Sequence, residues 1–157
     1  MAGNEISTFP RFVSSTLLMV AFFSIFQAGS ILLADLSFSD AKTEVGFWSS
    51  KSYQPTTLSK KNAQSNIQAA IAQWPQNPEY LSLQAHAHNW QAFWAVDEEV
   101  QVAEGHLAIR SQQQAQISRP AYKAGWAALQ DYKARMGEYD DIWRQAREHK
   151  ARLGERK

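Results

Sequence analysis

The side chains best suited to chemistry are four histidines and two acidic runs, and the chain contains no cysteine. That absence removes disulfides, thiolate metal sites and cysteine nucleophiles. His86 and His88 stand two apart, on different faces of a helix, whereas a pair at i and i+4 would converge on one metal. With no acid at a matching offset they read as polar surface or packed residues, and the isolated His106 and His149 read likewise. The runs Asp97-Glu98-Glu99 and Asp140-Asp141 raise glycoside cleavage, which needs two carboxyls facing each other at roughly 5–10 Å. Adjacent acids at helix starts diverge, and compensation of the helix dipole accounts for them. The expectation is a protein without catalytic residues, metal or cofactor.

The elements that would position any site begin with an apolar stretch, Phe12 to Ala34, in which none of 23 residues is charged and 16 are apolar. At 1.5 Å per residue such a helix is about 35 Å long, enough to cross a hydrocarbon core of roughly 30 Å. A cleaved signal peptide is the alternative, with Arg11 as its positive region and Ala28-Gly29-Ser30 as a cleavage site, but apolar sequence continues through Ile31, Leu32 and Leu33. A buried core helix would carry a polar face, and here Ser14, Ser15, Thr16, Ser24, Gln27 and Ser30 scatter around the wheel. Their hydroxyls can bond carbonyls of the preceding turn. Arg11 and the terminal amine on one side nearly balance Lys42 and Lys51 on the other, so the positive-inside count does not orient the span.

The organisation that follows is an N-terminal tail over 1–11, a transmembrane helix over 12–34, a linker over 35–61 and a helical domain over 62–157. The linker reading rests on abundant Ser, Thr and Lys without helical periodicity. Phe47, Trp48 and Tyr53 either sit at the membrane interface or dock on the domain as a strap. A net charge of +1 gives no electrostatic case for nucleic acid.

From Asn62 onward the periodicity is helical. Ile67, Ala70, Ile71 and Trp74 mark a short helix stopped by Pro75 and Pro78. Pro78 and Glu79 suit the start of a second helix reaching about Val96, with Leu83, Ala87, Trp90 and Trp94 on one stripe and Leu81 and Phe93 broadening it. A third helix spans about 97–117, its inward line being Val100, Ala103, Leu107 and Gln114, its end polar with Gln112, Gln113 and Gln116. A fourth covers Ala121 to Met136, closed by Gly137 as a C-cap, and a fifth Glu138 to Leu153. No strand-like alternation of useful length appears, so the fold class is all-α with antiparallel neighbours.

The segment Arg119 to Trp143 resembles a tetratricopeptide repeat. Trp126 takes the leading aromatic position, Leu129 follows three residues later, Pro120 stands where a preceding repeat would close, and Gly137-Glu138-Tyr139 lands at the turn between paired helices. Gln130, Lys133 and Gly154 depart from the pattern. Together with the N-terminal anchor and the segment Trp74-Pro75-Gln76-Asn77-Pro78-Glu79-Tyr80-Leu81, these features resemble the VpsP-type polysaccharide biosynthesis proteins, small membrane-anchored helical proteins of bacterial exopolysaccharide clusters. The resemblance implies an accessory role in making or exporting an extracellular polysaccharide. It also implies a cytoplasmic N-terminal tail and a domain on the periplasmic side of the inner membrane.

Candidate partner-binding residues are Trp90, Trp94 and Trp143, aromatic enough to line a groove, with Arg144 and Arg147 from the basic run that continues through Lys150, Arg152, Arg156 and Lys157. A groove of this kind takes a partner's helix or extended segment, or a sugar ring against Trp. The basic run suits an acidic glycan, anionic lipid or acidic protein. The resemblance implies that the partners are the membrane, proteins of a polysaccharide assembly system, or the polysaccharide itself.

Overall fold

The first helix does not stop where its apolar run stops. In the computed structural model, which describes residues 9–154 and the side chains of 16–141, 144, 145 and 148, α1 runs without a break over Phe9–Phe47. Four more helices follow among the described residues, α2 (Thr57–Gln73), α3 (Pro78–Trp94), α4 (Glu98–Ser118) and α5 (Lys123–Gly154), and there is no strand. The all-α expectation holds, with one long apolar N-terminal helix and a helical domain after it.

Leu17 through Leu33 project from α1 almost entirely uncovered, Phe22 at 75% and Ile25 at 72% exposure. This part of α1 is long and apolar enough to cross a membrane. Within it Ser24 Oγ donates to Val20 O at 2.8 Å and Ser30 Oγ to Gln27 O at 2.9 Å. A hydroxyl satisfied by its own helix loses little on leaving water.

The segment expected to be a linker, 35–61, is mostly helix. Ala34, Phe38, Ala41, Val45 and Trp48 recur at spacings of four and three along the end of α1, and all but the half-buried Phe38 are buried. They meet Ala63, Ile67 and Ala70 of α2. Small residues at 34, 41, 63 and 70 let the two helices approach closely, in the manner of a coiled-coil seam. Only 48–56 remains non-helical, and it is the strap alternative that the structure adopts. Trp48 Nε1 and the Tyr53 hydroxyl both donate to Glu44 Oε1, at 3.0 and 2.7 Å, folding the strap back onto α1.

The helix starts obey local chemistry. Thr56 Oγ1 accepts from Ser59 N, Asn77 Oδ1 from Glu79 N and Asp97 Oδ1 from Val100 N, which caps α2, α3 and α4. Pro78 occupies the first turn of α3, while Glu98 and Glu99 occupy that of α4. The acidic run 97–99 is thus a cap followed by two carboxylates at the positive end of a dipole.

Helix α3 is central, as its doubly apolar surface implied: Tyr80, Leu81, Ala85, Ala87, Asn89 and Ala92 are buried. It packs antiparallel to α4, which packs antiparallel to α5. The inward line expected on α4 is the wrong one. Gly105, Ala108, Ser111, Gln112, Ala115 and Gln116 are buried, whereas Val100 is 50% and Leu107 38% exposed and Ala103 and Gln114 face outward. Helix α4 lies between two neighbours, and only a face of small and flexible side chains admits both so closely. A β-carbon on Gly105 would lie 1.9 Å from Met136 Sδ, and one on Gly125 would lie 2.0 Å from Gln116 Oε1.

The helix pair expected to turn at Gly137 does not form. Helix α5 continues through Gly137, which has no positive φ and nothing near its missing β-carbon. Leu129, Tyr132 and Met136 form one buried line against α4, and this packing holds the backbone helical across the glycine. Gly137→Ala is therefore expected to stabilise the protein by about 0.5–1 kcal/mol, because alanine removes the entropy cost of a mid-helix glycine. Thermal unfolding checks this; destabilisation would mean a left-handed turn at that residue.

Candidate functional site

Of the tryptophans singled out in the sequence, Trp90 and Trp94 lie where α1, the strap and the end of α3 meet. Trp90 and Trp94 stack at 5.4 Å between ring centroids, and Trp48, 3% exposed, presents its edge to Trp94 at 5.2 Å. Phe93 lies edge-on to Trp90 at 5.5 Å and remains 54% exposed. The Lys60 ammonium sits 4.0 Å from the centroid of Trp94, a cation–π contact that covers that ring's outer side. Much of this aromatic surface is consumed in joining the α1–α2 hairpin to α3. What stays open is a cleft of about 460 Å³ walled by Trp90, Phe93 and Trp94 and floored by the strap residues Ser49, Ser52 and Gln54. Trp48 and Tyr53 share that wall, and their place in the chain, beyond the last apolar turn of α1, was the signal for them.

Below the cleft a chain of polar contacts ties α3 to its neighbours. Trp90 Nε1 donates to His86 Nε2 at 3.1 Å, and His86 Nδ1 faces the Tyr132 hydroxyl at 3.4 Å. An indole nitrogen only donates, so His86 Nε2 must be unprotonated in this arrangement. Burial, and secondarily the charge of Arg135, push the His86 pKa below its ordinary 6.5. The native state then binds fewer protons at this site than the unfolded chain does. Stability contributed by neutral His86 is complete above pH 6.5 and is lost as pH falls toward the lowered native value. The melting temperature should drop as pH is taken from 6.5 toward about 5, and His86→Gln, which keeps an acceptor for Trp90, should flatten that part of the profile. An unchanged slope would place the titrating group elsewhere.

His88 lies on the other face, its Nδ1 2.6 Å from Glu104 Oε2 on α4. The two histidines diverge as their spacing required. His106 is exposed, and His149 lies outside the described side chains. Among the described residues no group of three or more His, Asp or Glu side chains is gathered as a metal ion would need. Asp140 and Asp141 are exposed on α5, and Asp141 accepts from Arg144 Nη2 at 2.7 Å. With both partners more than half exposed this ion pair contributes at most about 1 kcal/mol. Arg144 stands on α5, apart from the Trp90 and Trp94 cluster; Trp143 and Arg147 lie outside the described side chains.

The residues assigned to the repeat motif are spread along α5, with Pro120 and Trp126 at the α4–α5 turn and Gly137 and Tyr139 beyond Met136, which faces Gly105 toward the start of α4. Trp126 is 47% exposed and donates through Nε1 to the Pro120 carbonyl at 2.9 Å, closing the α4–α5 turn. Leu129 is buried against α4. Tyr139 is half-buried, and its hydroxyl has no hydrogen-bond partner among the described residues. Against Gly125 at the other end of α5, Gln112 is 1% exposed with no hydrogen-bond partner for its Nε2 among the described residues, while Gln116 Nε2 donates to Tyr122 O at 3.2 Å.

The surface that sequence reasoning placed in the core is the outer line of α4. Val100, Ala103 and Leu107 follow one another along it, and Val96, 92% exposed, stands just before the helix. The three α4 residues stand roughly 120° around the helix from the buried face. Comparison with protein-family models, with curated proteins and with solved structures found no match to this chain.

Proposed function

We propose that this chain is a membrane-anchored, non-catalytic accessory protein in making or exporting a bacterial extracellular polysaccharide, and that it works by binding a protein partner. The observation that carries protein binding is the outward apolar line Val100, Ala103 and Leu107 of α4, with exposed Val96 just before the helix. The helical spacing of three and four is that of a helix seam, and no element of the described chain covers it. The uncovered apolar half of α1 supports anchoring. Confinement to the membrane raises the effective concentration of the bundle near membrane partners. The polysaccharide connection, and an orientation with the bundle on the periplasmic side of the inner membrane, rest on the resemblance to VpsP-type proteins. The paired-helix groove of a tetratricopeptide repeat is not the binding surface in this reading, because α5 is continuous.

A second reading is direct binding of the glycan. It is favoured by the cleft in which exposed Phe93 and partly exposed Trp90 and Trp94 lie beside serine and glutamine side chains. Aromatic faces next to hydroxyls and amides suit the apolar face and the hydroxyl groups of a sugar ring.

The test is recovery of the full-length protein from gently solubilised native membranes, beside the variant Val100→Glu with Leu107→Glu. Glycosyltransferase, polymerase or export components should accompany the unaltered chain. They should be lost from the variant, whose helix content stays unchanged because both positions are exposed. Recovery with carbohydrate alone would move the function to the aromatic cleft. Recovery with an unrelated complex would remove the polysaccharide connection, and recovery only with further copies of the chain would make the line a self-association surface.

A further inference from the structure

The end of the bundle nearest the apolar half of α1 carries its own exposed aromatic residues. Ala34 and Ala70 share one buried cluster, and Ala41 and Ala63 another, so α2 descends antiparallel along α1. Trp74 follows Ala70 by four residues, which places it level with about Ser30, some 6 Å inside the stretch that ends at Ala34. Tyr80, at the start of α3, donates its hydroxyl to Asp35 Oδ1 at 2.5 Å and packs its ring 4.7 Å from Phe38. Arg119 pairs with Glu79 at 3.3 Å, which brings the α4–α5 turn down to the same level. Both turns of the bundle on this side therefore stand where the chain changes from apolar to polar.

The side chains these turns present are Trp74 at 51% exposure, Ile117 at 81%, Tyr122 at 45% and Trp126 at 47%. Exposed Lys42, Arg119 and Lys123 stand among them. Three aromatic rings and an isoleucine on one end make an apolar patch that is costly to leave in water, and three cations stand beside it. They match the headgroup level of a bilayer, where indole and phenol rings sit half in hydrocarbon and cations meet lipid phosphates. The junction to α1 is helical and packed, so this end is held against the membrane surface instead of swinging on a tether.

We propose that the α2–α3 and α4–α5 turns dock into the interfacial layer of the same bilayer that α1 crosses. Trp74, Ile117, Tyr122 and Trp126 enter the headgroup–acyl boundary, and Lys42, Arg119 and Lys123 lie against lipid phosphates. The docking rests on the anchoring reading, and it adds that the bundle is seated in lipid with its aromatic cleft and strap held at the opposite end.

The absence of native cysteine makes the test direct. Single cysteines at Phe23, Ile117 and Val96 each receive a nitroxide label in the full chain, which is reconstituted alone into phosphatidylethanolamine–phosphatidylglycerol vesicles. Collision of each label with oxygen and with a water-soluble nickel chelate reports its depth. Phe23→Cys should be shielded from nickel and Val96→Cys fully open to it. Ile117→Cys should lose nickel collisions relative to Val96→Cys while gaining oxygen collisions. A label at Ile117→Cys as open to nickel as that at Val96→Cys, with Phe23→Cys shielded, overturns the docking and leaves the anchor standing. An open Phe23→Cys overturns the anchor and the docking with it. Adding Trp74→Gln and Trp126→Gln should return nickel collisions to the Ile117→Cys label; no return overturns the assignment to the two tryptophans.

Discussion

Replacing Tyr80 by alanine should destabilise the bundle by about 3–5 kcal/mol, the range for removing a buried aromatic side chain. Tyr80 is 1% exposed and shares a buried cluster with Ala34 and Ala70, so it joins α3 to both helices of the α1–α2 hairpin. Truncation opens a cavity at the junction where the apolar helix enters the bundle, and neither alanine can extend to fill it. Chemical denaturation of the detergent-solubilised full chain gives the value; a loss below about 1 kcal/mol would mean that α3 does not pack there. Tyr80→Phe separates the ring from the hydroxyl and should cost only about 1 kcal/mol, since Asp35 is exposed and regains water. Burial first, then the hydrogen bond to Asp35, raise the Tyr80 pKa from 10.0 to about 12. The unfolded chain ionises first, so this group's stability contribution is complete below pH 10 and declines as pH rises toward 12. Tyr80→Phe should make the alkaline decline shallower, the remainder coming from Tyr132, which burial likewise raises to about 12.

Gly105→Leu should cost about 1–3 kcal/mol by overpacking, despite leucine's better helix propensity. The added β-carbon alone would stand 1.9 Å from Met136 Sδ and 3.2 Å from its Cγ. Met136 is 7% exposed, so its thioether must leave the interface between α4 and α5. Met136→Ala on its own should cost about 2–5 kcal/mol as a core truncation, yet in the Gly105→Leu background it should cost much less, because leucine occupies the vacated space. A double-mutant cycle by thermal or chemical unfolding should show coupling of about 0.5–3 kcal/mol. Additive losses would mean that residues 105 and 136 are not in contact. The same cycle tests the register of α5, since a helix turning back at Gly137 would remove Met136 from this interface.

Much of the fold was legible because it is written in local rules. Asn77-Pro78-Glu79 and Asp97-Glu98-Glu99 start α3 and α4 by capping and dipole chemistry, which need no distant residue. The apolar run of α1 was legible from length and composition alone. The extension of α1 was hidden because Ser, Thr, Asp and Lys on its outer face outweigh the narrow seam of Ala34, Ala41, Val45 and Trp48. Of the proposed site, Trp90 and Trp94 were found from their stripe on α3. Trp48 and Tyr53 were legible as a strap or a membrane-interface pair, and only packing across 37 to 46 residues decided that they dock beside Trp90 and Trp94.

The sequence by itself determined an all-helical chain with a long apolar N-terminal helix, the starts of α3 and α4, and two histidines that diverge. Those features follow from composition, side-chain spacing and caps, each acting within a turn or two. Tertiary structure alone decided which face of α4 is buried and whether α5 breaks at Gly137. On α4 the larger apolar residues lost to Gly105, Ala108 and Ala115, because a helix held between two neighbours is selected for close approach. At Gly137 the packing of Leu129, Tyr132 and Met136 on α4 outweighed the glycine's freedom to turn, since one continuous buried line fixes more contact than a local break would release.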